Sequence, residues 1–177
     1  WDAPWYGGAH RDLKPAECDY ADVRLFVDWG AVRGDLCREL SDADAVLLGS
    51  YFRQGVEAAE FLAQEFDGPR LFYDIDTPVT VAAFEEAGAA EYLRADQVRL
   101  FDVYLSFTGG PVLRALESRY GAARAAPLYC SVDPERYCAT EPRAAYACAL
   151  GYMGTYAPDR QAGVEAFLVE PARRRPD

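Results

Sequence analysis

Six short apolar runs, alternating with stretches of helical periodicity, constrain this chain more than any other feature. The runs are "VRLFV" (23–27), "AVLLG" (45–49), "RLFYD" (70–74), "VYLSF" (103–107), "APLYC" (126–130) and "CALGYM" (148–153). They are rich in β-branched and aromatic residues and mostly continuous in hydrophobicity, which is how strands buried on both faces read. Between and after them, "VRGDLCREL", "GVEAAEFLAQEF", "VTVAAFEEAGAAEYL", "PVLRALESRYG" and "GVEAFLVEPARR" place apolar residues three and four apart, as amphipathic helices do. Strand, helix, strand at this spacing predicts right-handed βαβ units, hence an α/β fold whose parallel sheet carries helices on both faces. About five strands are expected over residues 20–130.

One break interrupts the rhythm. Residues 131–146, "SVDPERYCATEPRAAY", hold two prolines and mixed polarity without a clear element, and a domain boundary or crossover is the natural reading. The expected organisation is an incomplete first domain over residues 1–140 and the beginning of a second over 141–177, whose first strand and helix are the run at 148–153 and the stretch after it. The chain begins with Trp1, its only methionine is Met153, and its last residues, "EPARRRPD", leave a helical pattern with no element after it. These ends are read as those of a piece of a longer protein.

Composition narrows the function classes. The 177 residues carry a formal net charge of −11, and Lys14 is the only lysine. Nucleic acid is not an expected partner on that balance, since phosphate binding needs a basic patch. The apolar runs fall far short of the ~20 residues of a membrane helix. No basic, then apolar, leader opens the chain, so the cytoplasm is the expected location. Five cysteines without CxxC spacing suggest neither a disulfide framework nor a zinc site, and most are expected to be small buried hydrophobes.

Open α/β sheets bind ligands beyond the carboxyl ends of their strands, so the residues that follow each run are the candidates. Ser50 follows the second run. "DIDTP" after the third places Asp74, Asp76 and Thr77 at the rim before Pro78 opens a helix. Two carboxylates and a hydroxyl there either bind sugar hydroxyls, supply a general base, or merely suit the helix dipole. "TGGP" after the fourth sets Thr108 as a helix cap ahead of Gly109 and Gly110. It is either a tight turn or a set of amides open to a phosphate or sugar hydroxyl. After the last run, Gly154 and Thr155 turn the chain and Pro158 opens a helix with Asp159 and Arg160 in its first turn. An arginine beside free amides suits a diphosphate; the plain alternative is a surface arginine and a dipole-facing aspartate.

Taken together and in order, "WYGGAHRDL", "GSYF", "FYDIDTPVT", "EYLRADQ", "FDVYLSFTGGP", "PLYCSVDPERY" and "LGYMGTYAPDRQ" resemble the bacterial CgeB-like glycosyltransferases over nearly the whole chain. The resemblance implies a GT-B architecture of two Rossmann-like halves facing a cleft, with sugar transfer from a nucleotide-sugar donor and no bound metal or other cofactor. It implies that this piece is the acceptor-side domain without its opening strand, helix and second strand, plus the first strand-helix unit of the donor domain. Such a piece alone is expected to be inactive. Ser50, Thr77, Thr108, Gly109 and Gly110 then line the acceptor side or the cleft, while Gly154, Thr155, Asp159 and Arg160 meet the donor diphosphate. His10, the only histidine, is either a surface residue or the general base, with Asp76 and Asp74 as the alternatives.

Other classes fit less well. A phosphoacceptor receiver domain also ends its third strand on an aspartate, but it needs a lysine after its last strand, and Lys14 precedes every run. A dinucleotide-dependent oxidoreductase lacks its GxGxxG after a strand. A non-catalytic carbohydrate-binding or spore-envelope assembly role on the same fold stays open, since fold does not fix function.

Overall fold

The computed structural model describes residues 17–175; His10 lies outside the described residues. The chain divides into two compact units, the first ending at Val132 and the second beginning at Asp133.

The first unit opens on α1 (Trp29–Asp42), started by Asp28, whose carboxylate accepts a hydrogen bond from the Ala31 amide at 2.9 Å. That satisfies one of the amides a helix start leaves without an intrahelical partner. β1 (Val46–Gly49), α2 (Gly55–Glu65), β2 (Arg70–Asp74) and α3 (Thr77–Ala87) follow. The periodicity predicts that this helix continues to Leu93, but it stops six residues earlier. Gly88 there takes the left-handed conformation at φ 75° and donates its amide to Phe84 O, a geometry that glycine adopts without steric cost. The chain then makes an antiparallel hairpin of β3 (Ala89–Ala90) and β4 (Leu93–Arg94), a 3-10 turn over Ala95–Leu100, β5 (Val103–Ser106), α4 (Pro111–Tyr120) and β6 (Ala125–Pro127).

A parallel sheet forms from β1, β2, β5 and β6, side by side in that order. Register puts Leu48, Phe72 and Tyr104 in one row, with Asp74 and Ser106 paired in the next row on the same face. Phe72, Asp74, Tyr104 and Ser106 are wholly buried and Leu48 nearly so. Helices α2, α3 and α4 cover this face, with the segment between β3 and β5. Phe72 meets the rings of Phe101 and Tyr92 at 5.2 and 6.3 Å between centroids, Gln97 Nε2 donates to Val56 O in α2 at 2.9 Å, and Phe84 of α3 packs on Tyr120 of α4. Each such aromatic, fully buried, contributes roughly 1.5–3 kcal/mol.

The expectation of helices on both faces is met on one face only among the described residues. Leu71, Tyr73, Val103 and Leu105, which point the other way, are half-buried, and Leu47 is 55% exposed. Strand order is the cause: consecutive strands laid side by side through right-handed crossovers send every connecting helix to the same side. The strand count of the parallel sheet is also corrected, from about five to four, because residues 23–27 are not a strand. Phe26 instead packs edge-on against Phe52, at 5.9 Å between centroids, and beside Trp29. The cysteines are not buried hydrophobes either: Cys18 is half-buried, and Cys37, Cys130, Cys138 and Cys148 are exposed, all of them free thiols.

The second unit contains a 3-10 turn at Ala144–Tyr146 and one long helical stretch. The stretch runs as α5 (Pro158–Val164), a π-helical turn (Glu165–Val169) and α6 (Glu170–Arg174). Gln161 bonds Glu165 at 3.0 Å and Arg173 bonds Glu170 at 2.7 Å along its surface. The strand expected at 148–153 does not form; those residues are irregular and exposed.

Candidate functional site

The carboxyl ends of β1, β2 and β5 bring together most of the residues singled out in the first unit. At β1, the Ser50 amide donates to Tyr73 O at 2.9 Å, and Ser50 Oγ accepts from the Ile75 amide at 3.1 Å. Ser50 thus ties the loop after β1 to the loop after β2. Tyr51 comes next with φ 62°, the one non-glycine residue with positive φ among the described residues. Its hydroxyl donates to Asp76 Oδ2 at 2.6 Å, and its ring lies 5.0 Å from that of Tyr92. A bulky side chain in that backbone region costs of order 1–3 kcal/mol. A hydrogen bond to a carboxylate, worth about 1.5–3 kcal/mol, is enough to offset it. The same bond, with burial second, raises the Tyr51 phenol above its ordinary pKa.

The two aspartates have different surroundings. Asp74 is fully buried; its Oδ1 accepts from the Asp76 amide at 3.0 Å and its Oδ2 from the Tyr104 hydroxyl at 2.5 Å. Both oxygens are engaged, and a buried carboxylate needs such partners to stay charged at modest cost. Asp74 thereby holds the turn that presents Asp76. Burial first, then the Asp74 charge, raises the Tyr104 phenol well above its usual value. Asp76 is half-buried. Its carbonyl accepts from the amides of Val79 and Thr80 and from Thr80 Oγ1, so its backbone is fixed in the first turn of α3. Of the four carboxylate oxygens in this pair, Asp76 Oδ1 alone receives no hydrogen bond among the described residues. Thr80 also bonds the Tyr92 hydroxyl at 2.6 Å, and burial pushes that phenol up to about 12.

Thr77 and the "TGGP" turn form the next part of the rim. Thr77 is buried, its hydroxyl 2.7 Å from that of Ser106, so it cross-links α3 to β5 instead of facing solvent. Thr108 does not cap α4. Its amide donates to Ser106 Oγ at 3.0 Å, its Oγ1 is buried without a partner, and Gly110, at φ 81°, holds the cap position without a side chain. A Cβ on Gly109 would strike the Tyr129 hydroxyl; the absent side chain makes room for that tyrosine.

In the second unit, Pro158, Asp159 and Arg160 form the first turn of α5, with Ala157 at the cap position. Arg160 is exposed, and its amide bonds Ala157 O at 3.1 Å. Gly154 and Thr155 are exposed too. The Tyr152 hydroxyl lies 2.6 Å from where a Gly154 Cβ would stand.

The described residues contain no cluster of three or more His, Cys, Asp or Glu side chains placed to hold a metal ion, and no helix long and apolar enough to cross a membrane. Two concavities lie away from the rim. One, about 230 Å³, is an apolar crevice between α1 and β1; the other, about 520 Å³ and lined by Arg99 and Arg119, adjoins the segments leading into β5 and β6. Tyr51, Thr80, Tyr92 and Tyr104 are the rim residues that sequence reasoning missed. Tyr104 was signalled only by its alternation within "VYLSF", and Tyr51 by nothing. The chain matches no family model, no curated protein and no solved structure.

Proposed function

We propose that the chain is part of a metal-independent glycosyltransferase of the GT-B type, with residues 1–140 on the acceptor side and 141–177 opening the donor side. The observation that carries this reading is Asp76, a half-buried carboxylate at the end of a parallel strand, fixed through its backbone and keeping one oxygen without a partner. In this reading Asp76 takes the proton of an acceptor hydroxyl as that oxygen bonds the anomeric carbon of the donor and the nucleoside diphosphate leaves. Arg160 and the amides of the first turn of α5 offset the charge on the departing diphosphate. His10 is the alternative base.

The test uses the full coding sequence that contains this chain and a panel of nucleotide sugars. Asp76→Ala is expected to lower turnover by about 10²–10⁴ while calorimetry finds donor affinity unchanged; an equal loss of donor binding refutes the assignment. Arg160→Ala is expected to weaken nucleoside-diphosphate binding by about 1.5–3 kcal/mol, with Arg160→Lys recovering only part, since lysine keeps the charge and loses the planar fork. Unchanged affinity in both variants leaves that turn a structural feature.

A second reading, a non-catalytic carbohydrate-binding or envelope-assembly protein, draws on Asp74. With both its oxygens engaged and no exposure, Asp74 serves the fold, leaving Asp76 as the sole accessible acid of the pair. Sugar binding that survives Asp76→Ala, without turnover in the parent protein, favours it.

A further inference from the structure

Tyr51 joins three observations that the fold does not require of it. Its backbone is left-handed, its hydroxyl reaches a carboxylate 25 residues away, and the residue is 42% exposed although it carries that bond. Its neighbours on both sides are fixed. Ser50 is pinned to β2 through Tyr73 O and to the Ile75 amide, while Phe52 O accepts from the Gly55 amide at the start of α2. The bonded partner is fixed as well, because the Asp76 amide is held by Asp74 and its carbonyl by Val79 and Thr80. The anchors on both sides hold the backbone of Tyr51, so the part of the residue that can move while its surroundings stay in place is its exposed side chain. Rotation of that side chain to another staggered χ1 rotamer carries the phenol off Asp76 and leaves the backbone as it is.

We propose that Tyr51 is a latch: in the closed state its hydroxyl occupies Asp76 Oδ2, and it swings away to admit a hydroxyl-bearing ligand to that oxygen. A ligand hydroxyl that donates to Asp76 replaces the phenol one for one, so opening leaves no charge unsatisfied. The groups facing the phenol are Asp76, Asp74 and Tyr92. The latch rests on the geometry of the rim and holds whether the ligand is a transferase acceptor or a bound carbohydrate.

The experiment needs no ligand. The chain and its Tyr51→Phe variant are treated with a water-soluble carbodiimide and an amine, and labelling of individual carboxylates is followed by peptide mass spectrometry. Hydrogen exchange at the Ile75 amide and the melting temperature are measured alongside. A latch predicts that Asp76 is labelled about tenfold faster in the variant, the factor that a hydrogen bond to a charged group is worth. Asp74 should stay unlabelled in both proteins and exchange at the Ile75 amide should be unchanged, while the melting temperature falls by only about 2–8 °C, the loss that a tenfold preference implies. Equal labelling of Asp76 overturns the proposal. So does faster labelling accompanied by faster Ile75 exchange, which makes the bond a tie that holds the two loops together. Tyr51→Asn, which tolerates the left-handed backbone and lacks the phenol, should repeat the Tyr51→Phe result and guards against an effect of the phenylalanine itself. Because no sugar or nucleotide enters, failure here leaves the transferase reading to its own assays.

Discussion

The two units take the same kind of sequence, apolar runs and helical periods, to different ends. Up to Val132 the chain builds a core in which Phe72, Leu93, Val98, Tyr104 and Leu116 are wholly buried. From Asp133 onward no described side chain is buried, and Phe167, in the middle of the helical stretch, is 79% exposed. Yet the helix forms in the second unit and the strand does not. A helix closes its own backbone hydrogen bonds within the segment; a strand leaves its amides and carbonyls to a neighbour. "RLFYD" finds neighbours on both sides and is a strand; "CALGYM" finds none among the described residues and is not.

Substitutions on the two sides of this contrast sharpen it or break it. Phe72→Ala should be the most damaging, lowering stability by about 3–5 kcal/mol in a urea titration, because the site is closed on every side. A loss below about 1 kcal/mol would mean that the sheet face is not packed as described. A smaller effect comes from pH. Burial holds the Tyr92 phenol protonated up to about 12, above the ordinary value near 10. Its folded-state pKa is raised, so its contribution is fully present below about pH 10 and is lost as pH climbs toward 12, on the order of 2 kcal/mol. Urea midpoints measured across that range should fall for the parent chain and fall less for Tyr92→Phe; parallel decline in both assigns the loss to other groups. Smaller again is Gly163→Ala in α5, where a Cβ meets nothing within 4 Å. It should stabilise the helical stretch by about 0.4–1 kcal/mol, read as slower amide exchange there. Phe167→Ala should change the unfolding midpoint by no more than about 0.5 kcal/mol. A loss of several times that would move the second unit into the same class as the first.

The sequence made the βαβ order and the carboxyl-end rim legible because both follow from period and punctuation. Continuous apolar runs marked β1, β2 and β5, whereas Gly88, read as part of a longer helix, closes α3 instead. What stayed hidden depends on partners distant in sequence. Nothing in "VRLFV" says whether a neighbouring strand will be there, and nothing in "DIDTP" tells the buried Asp74 from the half-buried Asp76. That difference arises from Tyr104, 30 residues on. Tyr51 was hidden for the same reason, since its backbone conformation makes sense only once Asp76 stands opposite.

The order of the strands has a consequence for how wide a ligand site the rim can form. Because β1, β2, β5 and β6 lie in the order in which the chain makes them, their connections leave toward one side, and no topological switch point falls among them. Open parallel sheets part their loops at such points, where successive connections diverge to opposite faces. A strand joining the outer edge of β1 with its connection across the other face creates one there, directly beside Ser50 and Tyr51. With such a strand in place the rim around Asp76 would form one wall of a divide, and its pairing on that four-residue edge would set the distance to the other.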